Sequence, residues 1–315
     1  MRRTAGAALM IAAVLGAAAA ATAQEAPRVR VVTDISAAGM AGDRWLAMLR
    51  KRLPDSSYRA IADLARPLSP RERRWADLIR ARRADWEKGI AELTEPYAPA
   101  PPPVMALIVL GNRGGEDAFV HDRATIGFDL SALDANYGDP DDPENRARID
   151  RFFRHEYAHL LQKAWIAAHP APDESPLDLA LLDIWTEGLG NYHSLSPRWR
   201  GADGSLTVHA KETLETLEPR LIVRLAALAC ARPEAGAHLT ADLSTGPFGE
   251  KWGALPAALW LTADEAGAPG ALRRLVLAGP SGVWPLAERQ IHPAFRPVLR
   301  EIRAAAAQCA RPSQR

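Results

Sequence analysis

Between residues 40 and 95 apolar residues recur at three- and four-residue steps, through Trp45, Leu46, Leu49 and Leu53 and then Trp75, Leu78, Ile79, Trp86 and Ile90. This is the period of helices with one buried face, and it predicts two short helices followed by a longer one. Prolines at 99, 101, 102 and 103 then stiffen the chain, and the period changes. Val104 to Leu110 is a continuous apolar run suited to a buried strand, and Ala124 to Leu130 is a second strand candidate, with Gly111, Gly114 and Gly115 marking the turn between them. Gly138-Asp139-Pro140 is turn chemistry. Asp142 is a good N-cap with Pro143 at the first helical position, so a helix is expected from there to the stop at His169-Pro170, burying Ile149, Phe152, Phe153 and Leu160. Ser175, Pro176 and Asp178 open another, running through Leu181, Ile184 and Trp185. The loop between these two helices is short, so they should lie antiparallel. Helices, a small sheet and then helices to the end make an α+β chain, divided in this reading into a helical region 24–100, a central domain 101–268 and a helical region 269–315.

The first residues change the expected compartment. Met1-Arg2-Arg3 is a short basic head, residues 5 to 20 are almost wholly apolar, and Ala21-Thr22-Ala23 is an A-x-A cleavage pattern, so residues 1–23 read as a secretory signal peptide. The protein is then exported, periplasmic or secreted, without stable membrane insertion after cleavage. Composition is 48% hydrophobic and net charge is +1, which supports a sizeable core and argues against a nucleic-acid partner. The arginines between Arg71 and Arg83 are interleaved with Glu72 and Asp77, as on a solvated helix face. Only two cysteines occur, Cys230 and Cys309. They either pair, closing a loop of about 80 residues worth roughly 4 kcal/mol, or stay as two buried thiols.

His155-Glu156-Tyr157-Ala158-His159 is an H-E-x-x-H run on the first of the two antiparallel helices. Helical geometry sets the two imidazoles one turn apart on one face, where they can hold a metal, with the carboxylate of Glu156 beside them. The returning helix brings a third ligand. From His159 to its helix end is about 14 Å of rise, and from Pro176 to Glu187 is about 17 Å. Asp183, one turn earlier at about 11 Å, fits equally well, and spacing does not choose between them. Gly188 beside Glu187 allows the two helices to approach closely, which favours Glu187. Asp173 and Glu174 lie too far back, in the loop.

His155-Glu156-x-x-His159 with downstream Trp185-Thr186-Glu187-Gly188-Leu189 resembles the gluzincin group of zinc metallopeptidases, in particular secreted bacterial proteins with a peptidase-like domain of that kind. The resemblance spans about residues 104–265. It implies a zincin-like fold, with a small sheet whose edge strand binds extended peptide, a role that would fall to Ala124–Leu130, and a later helix opened by Trp252-Gly253-Ala254-Leu255. It also implies a zinc ion (Zn2+) on His155, His159 and Glu187, with a fourth position left for water and Glu156 as general base. Asp183 and Asn191 are candidates to orient a ligand imidazole by hydrogen bonding. Tyr192, His193 and His209 are candidate oxyanion donors, and Tyr157 is a weaker one. The expected partner is a peptide or protein substrate. A zinc amide hydrolase with a non-peptide substrate, or a non-catalytic cell-envelope binding module on the same scaffold, are the alternatives.

Overall fold

A computed structural model describes residues 27–36, 39–63, 66–98, 102–170 and 175–309. The expected signal peptide, Pro99, Pro101, Asp173 and Glu174 lie outside the described residues. In chain order the elements are β1 (Arg28–Thr33), α1 (Asp43–Arg52), α2 (Asp55–Asp63), α3 (Pro70–Thr94), β2 (Met105–Gly111), β3 (Ala118–Val120), β4 (Thr125–Asp129), α4 (Leu130–Tyr137), α5 (Pro143–Ala168), α6 (Pro176–Trp199), α7 (Val208–Leu228), α8 (Pro233–Leu239), α9 (Ala254–Gly267), α10 (Ala271–Ala278), α11 (Val283–Gln290) and α12 (Arg296–Cys309). The chain is α+β, as expected, but its boundaries differ from that reading.

The sheet has four strands in the order β1-β2-β4-β3. β1 runs parallel to β2 from Arg28↔Met105 to Thr33↔Leu110, β2 runs parallel to β4, and β3 closes the edge antiparallel to β4. Two corrections follow. Residues 24–100 are not a separate helical region, because they supply a sheet strand, and one apolar core runs from Val29 to Ile302 across all three expected divisions. Ala124–Leu130 is not the sheet's edge, because β4 is covered on both sides. The three residues of β3, too short to carry a visible period, take that place.

β2 reads as one apolar run because both faces of the sheet are covered. Ala106, Ile108 and Leu110 join the main core with Ile126 and Phe128, whereas Val109 packs with Phe119 against Trp45, Met48 and Leu49 of α1. On the main face α3 is the platform. Its N-terminus is a capping box, Ser69 with Glu72, and the buried Glu72 also holds Arg66. Trp86 stacks on Phe153 of α5 at 4.3 Å and lies 6.3 Å from Phe128. Asp150 of α5 accepts from Arg82 at 2.9 and 3.0 Å and from the Trp86 indole at 2.8 Å, so α5 is fixed to α3 by both stacking and charge. Arg74 and Arg80 of this stretch also meet carboxylates, Asp139 and Asp77.

α5 and α6 start where the sequence places them. Asp142 caps α5, accepting from the Glu144 N–H, and Ser175 forms a capping box with Asp178. α6 continues past Trp185 to Trp199 and lies between α5 and α9. It is apolar around most of its circumference because it is enclosed. No helix among the described residues is long and apolar enough to cross a membrane.

Cys230, just beyond α7, is disulfide-bonded to Cys309 at the end of α12, with 5.6 Å between their Cα atoms. The bond closes a loop with a sequence separation of 79. Replacing both cysteines with serine is expected to lower stability by about 4 kcal/mol. Urea unfolding checks this: a reducing agent should shift the midpoint of the wild-type protein toward that of the double variant and leave the variant unmoved.

Candidate metal centre

The ring nitrogens of His155 and His159 converge on the Glu187 carboxylate. His159 Nε2 lies 3.4 Å from Glu187 Oε1, His155 Nε2 lies 3.6 Å from Oε2, and the two Nε2 atoms are 3.0 Å apart. Ligand atoms held tetrahedrally at roughly 2.0–2.2 Å from one ion are about 3.3 to 3.6 Å from each other; both distances to Glu187 match this, and the two imidazole nitrogens are slightly closer together. This trio is the only group of three among the described residues that could hold a metal ion.

The protonation pattern points the same way. Gln162, one turn beyond His159, donates through Nε2 to the Thr186 carbonyl at 2.9 Å, and this fixes its amide with Oε1 toward His159 Nδ1 at 2.7 Å. Nδ1 therefore carries a proton and donates it, leaving the Nε2 lone pair facing Glu187. His155 is held by shape. Its ring rests on Gly190 of α6, where a Cβ would come within 2.8 Å of Cε1 and 3.0 Å of Nδ1. The pairs 162 with 186, 159 with 187 and 155 with 190 also set the antiparallel register of α5 and α6.

That register separates Glu187 from Asp183, which spacing alone did not. Asp183 sits one turn nearer the loop and accepts from Ser244 Oγ at 3.1 Å, outside the trio. Burial pushes its pKa up, and the charge of Glu187 adds to this. The role read for Gly188 needs correction. A Cβ there would meet Ala257 of α9 at 2.8 Å, so Gly188 admits α9, and Gly190 admits the metal helix.

The two glutamates are held in opposite states. Burial would raise Glu187, but the two imidazoles and Lys251 outweigh it and hold the pKa down at about 2. Glu156 is 8% exposed, and burial pushes it up to about 7, with the charge of His159 opposing and that of Glu187 adding. It lines two adjoining cavities of about 500 and 430 Å³, which share Glu116, Ala118, His155, Glu156 and Lys251 and form one cleft. The cleft passes along β3, the exposed edge of the sheet.

The remaining sequence candidates fall elsewhere. Asn191 lines the cleft, but its buried Nδ2 has no partner and makes no hydrogen bond to an imidazole. Tyr192, His193 and His209 do not line it. Tyr192 and His193 are buried in the helical body, and burial pushes His193 down to about 3, while His209 is exposed at the start of α7. Tyr157 is fully buried, 5.5 Å from Phe153. Sequence reasoning missed Gln162, Gly190 and Lys251. The first was visible as an amide at helical spacing from His159, and the second as a small residue three positions after Glu187. Lys251 carried no local signal.

Compared with known proteins, the chain matches no family model, no curated sequence and no solved structure.

Glu187→Ala is expected to abolish tight metal binding while Asp183→Ala retains it, as measured by metal content after loading and desalting. Gln162→Ala and Gly190→Ala should each weaken affinity by about 10- to 100-fold in competition with a chelator, the first by freeing the His159 ring and the second by displacing that of His155.

Proposed function

We propose that this protein is an exported zinc-dependent metallopeptidase of the gluzincin kind. The observation that carries the reading is the convergence of two imidazoles and a carboxylate on one point in a cleft, with a fourth residue, Glu156, beside them but outside the trio. Two imidazoles and one carboxylate suit zinc, and three protein ligands are the number found in catalytic rather than structural zinc sites. Bound there, zinc would supply Lewis acidity and lower the pKa of a water molecule.

The chain's own groups account for the rest. Glu156, buried and with a pKa near neutrality, is suited to take a proton from the attacking water and return it to the leaving amine. Glu187, held ionised, contributes negative charge that lets the site accept a cation. In the antiparallel ladder, Asp117 and His121 bond to β4, which leaves the N–H and C=O groups of Ala118 and Val120 on the open edge. An extended peptide can add to that edge beside the ligand trio, which favours a peptide over a compact substrate. Lys251, facing both halves of the cleft, is better placed than any residue chosen from sequence to meet negative charge on a reacting carbonyl. Export is supported by the basic, apolar and A-x-A pattern of residues 1–23 together with the Cys230–Cys309 disulfide, which persists in oxidising compartments.

The decisive comparison is wild type with Glu156→Gln. The variant should keep about one zinc per chain by mass spectrometry and lose at least about 100-fold of its cleavage of a quenched fluorescent peptide library. Zinc binding without cleavage by the wild type would instead support a binding module on the same scaffold, and absence of zinc would overturn the peptidase reading and leave the binding module as the better account.

A further inference from the structure

One end of the cleft is rich in cations that the chemistry above does not use. Arg148 and Arg151 of α5 and Arg198 of α6 line the cavity that also contains His155 and Glu156. They share little negative charge. Glu144 accepts from Arg151 at 2.7 Å and from Arg198 at 2.8 Å, so one carboxylate serves two guanidinium groups. Arg148 lies 4.2 Å over the Tyr137 ring and donates to Asn145. On the facing wall Asp117 is engaged by Tyr137 and by Asn136, and Glu116 pairs with Arg52. Three arginines against Glu144 leave a surplus of two positive charges, or one if Asp117 is counted with them.

Their distance from the ligand trio is set by the helix. Arg151 and Arg148 precede His155 by one and two turns, and helical side chains lean toward the N-terminus, as the reach of Arg151 to Glu144 shows. The guanidinium groups therefore gather about 11 Å of rise from His155, the span of three to four extended residues. The opposite wall is the segment 115–118 that leads into the β3 edge, so the path between is suited to a strand rather than a compact group.

We propose that this end of the cleft is a subsite for a carboxylate of an extended peptide, held by Arg148, Arg151 and Arg198 three to four residues from the bond that is cut. The proposal rests on the peptidase reading for its reaction but not for its binding chemistry. Arginine forks match a carboxylate in two-point geometry, and Arg151, largely shielded from solvent, gives charge-assisted hydrogen bonds more weight than at an open surface. The carboxylate can belong to an Asp or Glu side chain or to the peptide's own C-terminus.

The test uses the full exported chain carrying Glu156→Gln, loaded with zinc, and fluorescein-labelled octapeptides of one sequence. One peptide bears an internal Glu, one a free C-terminus and one neither, with Gln and a C-terminal amide in their place. At least one carboxylate peptide should bind about tenfold tighter than the neutral one by anisotropy, and which does so identifies the source. Adding Arg151→Gln with Arg198→Gln should erase the preference. Glu144→Gln, which frees both guanidinium groups, should strengthen it by about threefold or more, a gain that damage to the fold would not give. Equal binding of all three peptides, no binding of any, or a preference unchanged in both variants would overturn the subsite. Wild-type cleavage mapped by mass spectrometry separates the two readings. Cleavage with no acidic preference at a fixed distance removes the subsite and leaves the peptidase, and carboxylate-selective binding without cleavage does the reverse.

Discussion

Two antiparallel apolar helices can slide by a turn with little change in how well their side chains pack, and a slip of one turn between α5 and α6 would set Asp183 or Asn191 opposite the two histidines in place of Glu187. Gln162 opposes that slip. Its amide joins the Thr186 carbonyl to the His159 ring, so the same side chain that fixes the register also fixes the proton on Nδ1. Gly190 acts from the other side by leaving room for the His155 ring. The convergence of His155, His159 and Glu187, the charge of Glu187 and the course of the cleft all depend on these few contacts. Packing supplies most of the stability of such a helix pair, but it does not supply position to within an ångström; that falls to one hydrogen-bonded amide and one missing side chain.

The site also separates two carboxylates by environment. Glu156 and Glu187 share a low-polarity setting, and burial would raise both. Glu187 escapes because two imidazoles and Lys251 face it, while Glu156 feels His159 alone of these and burial prevails. One group is thereby kept as a fixed negative charge and the other near the point where it can gain or lose a proton, a division suited to ligand and base respectively. Any account of the chemistry has to respect this asymmetry, whatever the substrate.

Local chemistry made the helices of the site legible. Asp142 with Pro143 and Ser175 with Asp178 mark their starts to the residue, and the H-E-x-x-H spacing names two of the three clustered side chains. The third remained ambiguous because helical rise alone does not give register, and register is a property of the pair. The sheet was less legible for a similar reason. β1 alternates arginine and valine at its start but is only six residues long, and β3 has three, so neither shows a sustained period. Strand order is a tertiary fact, and the edge role expected of β4 came from the resemblance rather than from anything in its own residues. Gly188 and Gly190 were separable only once α9 was seen to occupy the far side of α6. The arginine cluster stood in plain view at one- and two-turn spacing before His155, yet a charge on a helix is informative only when the wall opposite is known.

The contribution of residues 28–94 bears on how such a chain is kept in check. Had this segment been a detachable cover over the cleft, trimming it would switch the protein on, as with many hydrolases made in latent form. Here it is structural. β1 is hydrogen-bonded along β2, and Trp86 and Arg82 of α3 hold the helix that carries both histidines. Excising it would bare the inner strand of the sheet and release the metal helix from its support, so that a cut made to activate the protein would dismantle it. The segment is thus part of the frame on which the cleft is built, and the cleft and the frame stand or fall together.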